Sequence, residues 1–231
     1  MKKINKIAIV WESDTGGGVN SYLRYLLHSK DFLEKEITIF TNFQNLGAKP
    51  LMKDLAKLKN IKFIFFKSFF DGKRKNLFEK IIFYFLNPFF LLLTIFKFKK
   101  ILSNYNFDVL LCECGNYGIF RSEQAAVLAS KNLGISVKSM VIHHACQKPP
   151  LFMGTIFRII DFFLIRNLTS LITVSEATKK TLIHNSNLLE SGRLQGYVIH
   201  NGVPINNFVK KNYLSSRLIK DNTTALKVGM V

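Results

Sequence analysis

The chain alternates between short apolar segments rich in β-branched residues and longer segments in which apolar residues recur with a helical period. The short segments are apolar almost throughout rather than at every second position, which is typical of parallel strands covered on both faces of a sheet. We therefore predict seven strands, over Lys6–Trp11, Glu36–Thr41, Ile61–Phe66, Asp108–Glu113, Val137–Ile142, Ser170–Val174 and Tyr197–His200.

Helical patterns fill the intervals between these strands. One helix is marked by Leu51, Leu55 and Leu58, and another covers Glu123–Leu133 and stops at Gly134. The alternation of strands and helices predicts an α/β domain, Rossmann-like, with a doubly wound parallel sheet. The clearest helix follows the first strand and has apolar residues at i, i+3, i+4, i+7 and i+8, namely Val19, Tyr22, Leu23, Leu26 and Leu27.

An uncharged, Phe-rich segment, Ile81–Phe96, interrupts this alternation. At about 1.5 Å per residue it would reach roughly 24 Å, short of the ~30 Å hydrocarbon core, and Asn87-Pro88 predicts a break near its middle. We therefore expect no membrane-spanning helix. Two interpretations stay open, a buried and kinked pair of helices or an apolar element in the membrane interface, and Leu151–Leu168 allows the same two. The basic residues that flank the first segment are Lys73, Arg74, Lys75, Lys80, Lys97, Lys99 and Lys100.

The net charge and the composition limit the classes of partner that this chain can bind. The chain has 33 Lys and Arg against 15 Asp and Glu, a net charge of +18, beside 48% hydrophobic residues, which excludes intrinsic disorder. Basic residues are scattered except around residues 73–100, so we expect no nucleic acid and favour an anionic membrane surface. Three cysteines exclude a disulfide scaffold. No signal peptide follows Met1-Lys2-Lys3, so we expect a cytoplasmic protein, peripheral at the inner face of the membrane.

A glycine-rich loop follows the first strand, at the edge where open α/β sheets bind ligands. Gly16, Gly17 and Gly18 lead directly into the first helix, where a backbone without side chains and free N–H groups suit an anion. Asp14 lies just before them. The dinucleotide-binding fingerprint is not satisfied, because Ser21 stands where its third glycine is required.

A second group of polar residues follows the fourth and fifth strands. The fourth strand ends in Cys112-Glu113-Cys114, and the fifth strand is followed by His143-His144-Ala145-Cys146. Two adjacent imidazoles at a strand end cannot both point into the core, so at least one should face the crevice. The spacing is unusual for zinc, no third group orients a cysteine nucleophile, and the cysteines can equally be small core residues. Ser175, a natural N-cap, and the turn at Asn201-Gly202 follow the last two strands.

Four of these motifs, in this order, resemble the N-terminal half of family 4 glycosyltransferases, which have the two-domain GT-B fold. The most specific is Val198–Pro204, which is similar to the family's Val-Ile-x-Asn-Gly-Val element. The other three are the loop at Gly16–Gly18, His143-His144 and Ile172–Ser175, and the trailing Lys227–Val231 is similar to the first strand of the donor-binding domain.

The resemblance implies retaining transfer of a sugar from a nucleotide-sugar donor to a glycan or lipid-linked acceptor, without a metal or other cofactor. We expect a role in the biosynthesis of a surface polysaccharide such as lipopolysaccharide. The glycine loop would face the donor phosphates, and His143 or His144 would be catalytic. The resemblance places Ser175 near the crevice. Asp14, Glu113, Asn201 and Gly202, which lie at or after the ends of predicted strands, are the further candidates for the acceptor site or crevice.

The same resemblance predicts the domain organisation. Residues 1–205 would form the acceptor-side domain, 206–224 a linker, and 225–231 the first strand of a donor domain that this sequence does not contain. We therefore expect an incomplete chain, inactive by itself. Two alternatives stay open: a non-catalytic ligand- or membrane-binding module derived from this fold, and a metal-dependent hydrolase that uses His143, His144 and Cys146.

Overall fold

The computed structural model describes residues 4–14, 17–70, 76–115, 117–149, 153–190 and 192–202. The chain divides into two compact units, 1–201 and 202–231. The architecture below is that of the first unit. Apart from Gly202, the second unit lies outside the described residues, so the linker over 206–224 and the strand over 225–231 stay predictions.

Seven parallel strands form one sheet in the order β3-β2-β1-β4-β5-β6-β7. All seven predicted strands are confirmed, with ends that differ by at most two residues. Because the strand order reverses between β1 and β4, a crevice opens outside their carboxyl ends. The strands are β1 (Lys6–Trp11), β2 (Glu36–Asn42), β3 (Ile61–Phe66), β4 (Val109–Cys114), β5 (Val137–Ile142), β6 (Ser170–Thr173) and β7 (Gly196–Val198).

Helices cover both faces of the sheet. Alternate residues of β1 enter two separate cores: Ile9 packs with Leu23 and Leu51, whereas Val10 joins the larger core on the opposite face. The rule that fully apolar strands are covered on both sides therefore holds. The helices are α1 (Gly18–Leu27), α2 (Lys30–Leu33), α3 (Ala48–Asp54), α4 (Leu77–Ser103), α5 (Ser122–Ala129), α6 (Gly154–Asn167) and α7 (Glu176–Asn185).

Two predicted helices end earlier than their apolar patterns. The prediction over Glu123–Leu133 becomes α5, which stops at Ala129 because the next residues leave helical geometry. The Ser130 hydroxyl donates to the Val127 carbonyl at 2.6 Å, and Asn132 and Gly134 both have positive φ, 64° and 70°. The helix marked by Leu51, Leu55 and Leu58 likewise ends at Asp54, with Leu55 as its C-cap.

The predicted break at Asn87-Pro88 is wrong. Pro88 lies inside α4, a single helix of 27 residues that is about 40 Å long at ~1.5 Å per residue. Proline removes one hydrogen bond within the helix, but Leu91 and Phe98 on the following turns are buried in the larger core, and the Asn87 side chain accepts a hydrogen bond from the Phe120 N–H at 3.3 Å. Within the ranges described above, no helix has an apolar stretch of the length that a bilayer crossing needs.

Candidate functional site

A cavity of about 290 Å³ opens at the carboxyl ends of β1 and β4, where the strand order reverses. Three groups of residues predicted from the sequence meet there: Asp14, the glycine loop and one of the two histidines. The crevice that strand order alone implies is therefore present and polar. Its lining consists of Trp11, Glu12, Ser13, Asp14, Gly17, Gly18, Val19, Gly115, Arg121 and His144.

The glycine loop forms one wall of this cavity. Gly17 is the N-cap of α1 and Gly18 its first residue, so the N–H groups that begin the helix belong to this wall. A Cβ built on either glycine would have no atom within 4 Å, which leaves open space beside the backbone. Such a helix start suits an anionic ligand. Gly16, the first glycine of the predicted loop, lies outside the described residues.

The floor of the cavity is held by a buried carboxylate that joins three segments. Glu12 directly follows β1, and its carboxylate accepts hydrogen bonds from the Ser122 N–H at 2.8 Å and the Ser68 hydroxyl at 2.6 Å. The Glu12 N–H in turn donates to Glu123 Oε1 at 2.7 Å. These hydrogen bonds therefore link the residues after β1 to the residues after β3 and to the start of α5, at the base of the cavity.

Burial controls the charges at this floor. Desolvation raises the pKa of Glu12, and it raises the pKa of Glu123 to about 8, with the Glu12 carboxylate adding to the effect. Arg121 lines the cavity and interacts electrostatically with both glutamates. Burial alone would lower the pKa of Arg121, but Glu12, Glu123 and Asp14 outweigh it and raise that pKa, so the guanidinium stays charged.

The two adjacent histidines face different surroundings, as the sequence predicted. His144 is exposed and lines the cavity. His143 is buried, with Nε2 2.7 Å from Glu113 Oε2 and its ring in edge contact with Tyr22 at 5.0 Å between centroids. Burial raises the pKa of Glu113, and the hydrogen bond to His143 lowers it in part. Glu113 Oε1 and His143 Nδ1 have no hydrogen-bond partner among the described residues.

The remaining predicted site residues lie outside the cavity lining. Ser175 is the N-cap of α7, and its hydroxyl accepts a hydrogen bond from the Thr178 N–H at 3.1 Å. Asn201 and Gly202 are exposed residues after β7. Glu113 is fully buried behind His143. Their proposed roles at the acceptor stay predictions.

The cysteines are core residues with neutral thiols. Cys112, Cys114 and Cys146 are free and buried, and burial raises the pKa of all three, that of Cys146 to about 12. A neutral thiol is a poor nucleophile and a poor metal ligand. Over the part of the chain that the structure describes, no three His, Cys, Asp or Glu side chains are grouped to hold a metal ion.

Sequence reasoning missed the residues that shape the cavity floor. Glu12, Ser68, Arg121 and Glu123 come from three segments far apart in sequence. Only Glu12 carried a signal, since it directly follows a buried strand at the ligand-binding edge. Together the site offers one cation, a helix start, a carboxylate at Asp14 and an imidazole at His144, a set that can bind an anionic group and hydroxyls side by side.

Comparison with solved structures finds matches of low sequence identity. LpCGTa in complex with UDP matches with a TM-score of 0.50 at 10% identity, over 90% of this chain and 55% of its own. The trehalose-6-phosphate phosphatase N-terminal domain of Candida albicans matches with a TM-score of 0.49 at 11% identity, over 93% and 52%. UDP-GlcNAc 2-epimerase from Neisseria meningitidis, bound to UDP-GlcNAc, matches with a TM-score of 0.44 at 12% identity, over 84% and 45%.

The match to LpCGTa shows the fold. The domain is a GT-B-like, Rossmann-like α/β unit, as the sequence predicted. This chain spans about half the length of the solved structures that it matches. No protein-family model and no curated protein matches its sequence.

Proposed function

We propose that this chain is the acceptor-side half of a GT-B glycosyltransferase, which transfers a sugar from a nucleotide-sugar donor to a glycan or lipid-linked acceptor. One observation carries the proposal: Gly17-Gly18, Arg121 and His144 meet in a polar cavity at the point where the strand order reverses. Support comes from LpCGTa, which has this fold and was solved in complex with UDP.

The cavity groups divide the work of such a reaction. The departing nucleoside diphosphate gains negative charge in the transition state, which the Arg121 guanidinium and the N–H groups at the start of α1 would stabilise. Asp14 and His144 would bind hydroxyls of the transferred sugar. His143 would act as a positioning residue, because its bond to Glu113 fixes the backbone from which His144 reaches the cavity.

The finer assignments rest on the sequence resemblance. We propose retaining stereochemistry and a metal-independent mechanism because family 4 enzymes have them, and a role in surface polysaccharide assembly such as that of lipopolysaccharide. We place the enzyme in the cytoplasm, where nucleotide sugars are made. Ser175, Asn201 and Gly202 would lie toward the acceptor. The metal-dependent hydrolase has no support from the geometry of the described cysteines and histidines.

Titration of the ¹⁵N-labelled full chain with UDP-glucose, followed by NMR, tests the proposal. We expect the amide resonances of Gly17 and Gly18 to shift, while those of Gly134 and Gly192, remote glycines, stay unchanged. Arg121→Gln should weaken binding and raise the dissociation constant about tenfold or more, since hydrogen bonds from a charged donor are worth ~1.5–3 kcal/mol. Arg166→Gln, which removes the same charge from the exposed end of α6, is the matched control.

Four results would contradict the proposal in different ways. Absence of any shift with UDP-glucose and with its GDP and ADP counterparts would exclude nucleotide-sugar binding. If Arg121→Gln and Arg166→Gln changed the dissociation constant equally, the nucleotide-sugar site would not be at this cavity. Because GT-B donors are held between two domains, we expect no sugar transfer by this chain alone; transfer would overturn its assignment as half an enzyme, and tight binding with no transfer by any longer form would favour a non-catalytic module.

A further inference from the structure

Helix α4 is apolar on two opposite faces. One face is buried and includes Leu91, Phe98 and Leu102, which pack in the larger core. The opposite face carries a row of large side chains at spacings of three and four residues that are 41% to 71% exposed. This row, the α4 stripe, consists of Phe78, Ile82, Phe85, Phe89, Leu92 and Phe96.

The α4 stripe is a large apolar patch for the surface of a soluble protein. At roughly 200 Å² for each large side chain, its members expose on the order of 700 Å², above the ~300–600 Å² of the largest apolar patch on a typical soluble monomer. At about 1.5 Å per residue the stripe is roughly 27 Å long. A surface of this kind marks an interaction site.

Basic residues continue the stripe at its C-terminal end. Lys100 lies one turn beyond Phe96 on the same face, and Lys99 lies beside it; both are exposed. Helix α6, which packs against α5 and the same core, adds exposed Phe162 and Phe163 with basic neighbours. Those neighbours are Arg158 and Arg166, the second of which covers the Phe162 ring.

We propose that the α4 stripe docks on the surface of an anionic lipid bilayer, with α4 lying in the interface plane. The opposite face of the helix is fixed in the protein core, so only the stripe can enter the acyl boundary while Lys99 and Lys100 reach the headgroups. A second copy of the chain is the weaker occupant, because a net charge of +18 opposes self-association and is complementary to anionic lipid.

Docking in this way would bring the crevice to the membrane. Helix α4 runs antiparallel to the strands, and Asn87 contacts Phe120, a residue of the loop that follows the carboxyl end of β4. The ten residues of α4 before Asn87 therefore extend about 15 Å past that edge. If the proposed function holds, a lipid-linked acceptor could reach the cavity without leaving the bilayer; the docking itself does not depend on that function.

Cosedimentation of the full chain with vesicles tests the docking. We expect binding to vesicles of phosphatidylglycerol and phosphatidylcholine, weaker binding to phosphatidylcholine alone, and partial release at high salt. The double variant Phe85→Ser/Phe89→Ser should bind at least tenfold more weakly. Its matched control is Phe43→Ser/Leu46→Ser: Phe43 and Phe85 are both 66% exposed, but Phe43 stacks on Phe65, which packs with the core on the other face of the sheet.

A pair of charge reversals tests the electrostatic part. Lys99→Glu/Lys100→Glu should weaken binding to the anionic vesicles more than tenfold, at roughly fivefold for each basic residue near the surface. Lys49→Glu/Lys53→Glu, on α3, makes the same change in net charge on the other face and should have a much smaller effect. Circular dichroism verifies that each variant folds.

Several outcomes would overturn the docking. Absence of binding to either vesicle, or equal losses in the stripe and control variants, would exclude it. Binding to both vesicles that no salt concentration reduces would exclude the anionic specificity. Dimers in sedimentation velocity that Phe85→Ser/Phe89→Ser dissociates would make the stripe a self-association surface instead. A failure here leaves the nucleotide-sugar titration unaffected, so the two proposals can fail separately.

Discussion

At the scale of single residues, burial decides which groups of the crevice carry charge. Glu12 and Glu123 are adjacent and buried, so both have a raised pKa and favour the protonated form, whereas nearby Arg121 stays cationic. Glu113 is buried in the same way, and its carboxyl group is hydrogen-bonded to His143. Neighbouring residues of one sequence motif therefore differ in role: His144 meets the ligand space, and His143 supports it.

Replacing each histidine by alanine separates these roles. His143→Ala should lower the free energy of unfolding by about 3 kcal/mol, because it leaves the Glu113 carboxyl buried without its partner. His144→Ala should change it by less than ~0.5 kcal/mol, since that side chain is exposed. Urea unfolding measures both. Equal destabilisation by the two variants would contradict a supporting role for His143 that His144 does not share.

The pKa of Glu123 predicts a dependence of stability on pH. Its pKa is about 8 in the folded chain against an ordinary 4.5, so the folded state holds an extra proton between these values and stability falls as pH rises through this window. The loss is on the order of 4 kcal/mol. Glu123→Gln should flatten the fall and be more stable than the parent chain at pH 8.

Unfolding in urea at pH 5 and pH 8 measures this difference. Glu34→Gln, at an exposed position, is the control and should keep the slope of the parent chain. A stability that rises between pH 5 and pH 8, with no effect of Glu123→Gln, would contradict a protonated Glu123.

At the scale of elements, packing overrides local signals along α4. Pro88 removes one helical hydrogen bond, yet the helix continues because residues on both sides of it bury apolar surface in one core. The local pattern also could not distinguish the two interpretations of this segment, since both faces of the helix are apolar. Contacts with α5 decide which face is covered.

Pro88→Ala should therefore stabilise the chain, by about 1–2 kcal/mol, because alanine restores the hydrogen bond to the Tyr84 carbonyl and has the higher helix propensity. Pro50→Ala is the matched control: Pro50 is in the first turn of α3, where an N–H has no partner within the helix. Urea midpoints compare the two. Destabilisation by Pro88→Ala would mean that the native helix needs a kink at this point.

At the scale of the whole molecule, an excess of positive charge surrounds a well-filled core. The 33 basic residues far outnumber the 15 acidic ones, and several acids are buried rather than paired on the surface. Like charges repel across such a surface and oppose folding, while the same field attracts anionic lipids and nucleotides. The net positive charge therefore lowers the stability of the fold and also supports both proposals.

Added salt should raise the melting temperature, because it screens this repulsion. Between 0.05 and 0.5 M NaCl we expect a gain of about 2–4 °C, which corresponds to ~1 kcal/mol for a domain of this size. Lys49→Glu/Lys53→Glu lowers the net charge from +18 to +14, two charges for each substitution. The melting temperature of this variant should therefore rise less with NaCl than that of the parent chain. Scanning calorimetry measures both; a melting temperature that falls with NaCl would contradict net repulsion.

Local sequence patterns predict the seven strands, the parallel doubly wound sheet and the sheet edge that carries the crevice. Strand composition reports burial on both faces directly, and the alternation of strands with helices indicates parallel strands joined by right-handed crossovers. The sequence also identified Asp14, the glycines and the histidine pair, because they follow predicted strands. These features depend on residues close together along the chain, which local periodicity can reveal.

Which of these residues lie together depends on how remote segments of the chain pack. The Glu12 carboxylate receives its hydrogen bonds from residues 56 and 110 positions away, and Arg121 reaches the cavity from the start of a helix that no local pattern links to β1. The continuity of α4 and the exposure of its second apolar face likewise depend on contacts with α5. Packing sets distances and solvent exposure between segments remote in sequence, and these fix the pKa values and the accessible surfaces on which function depends.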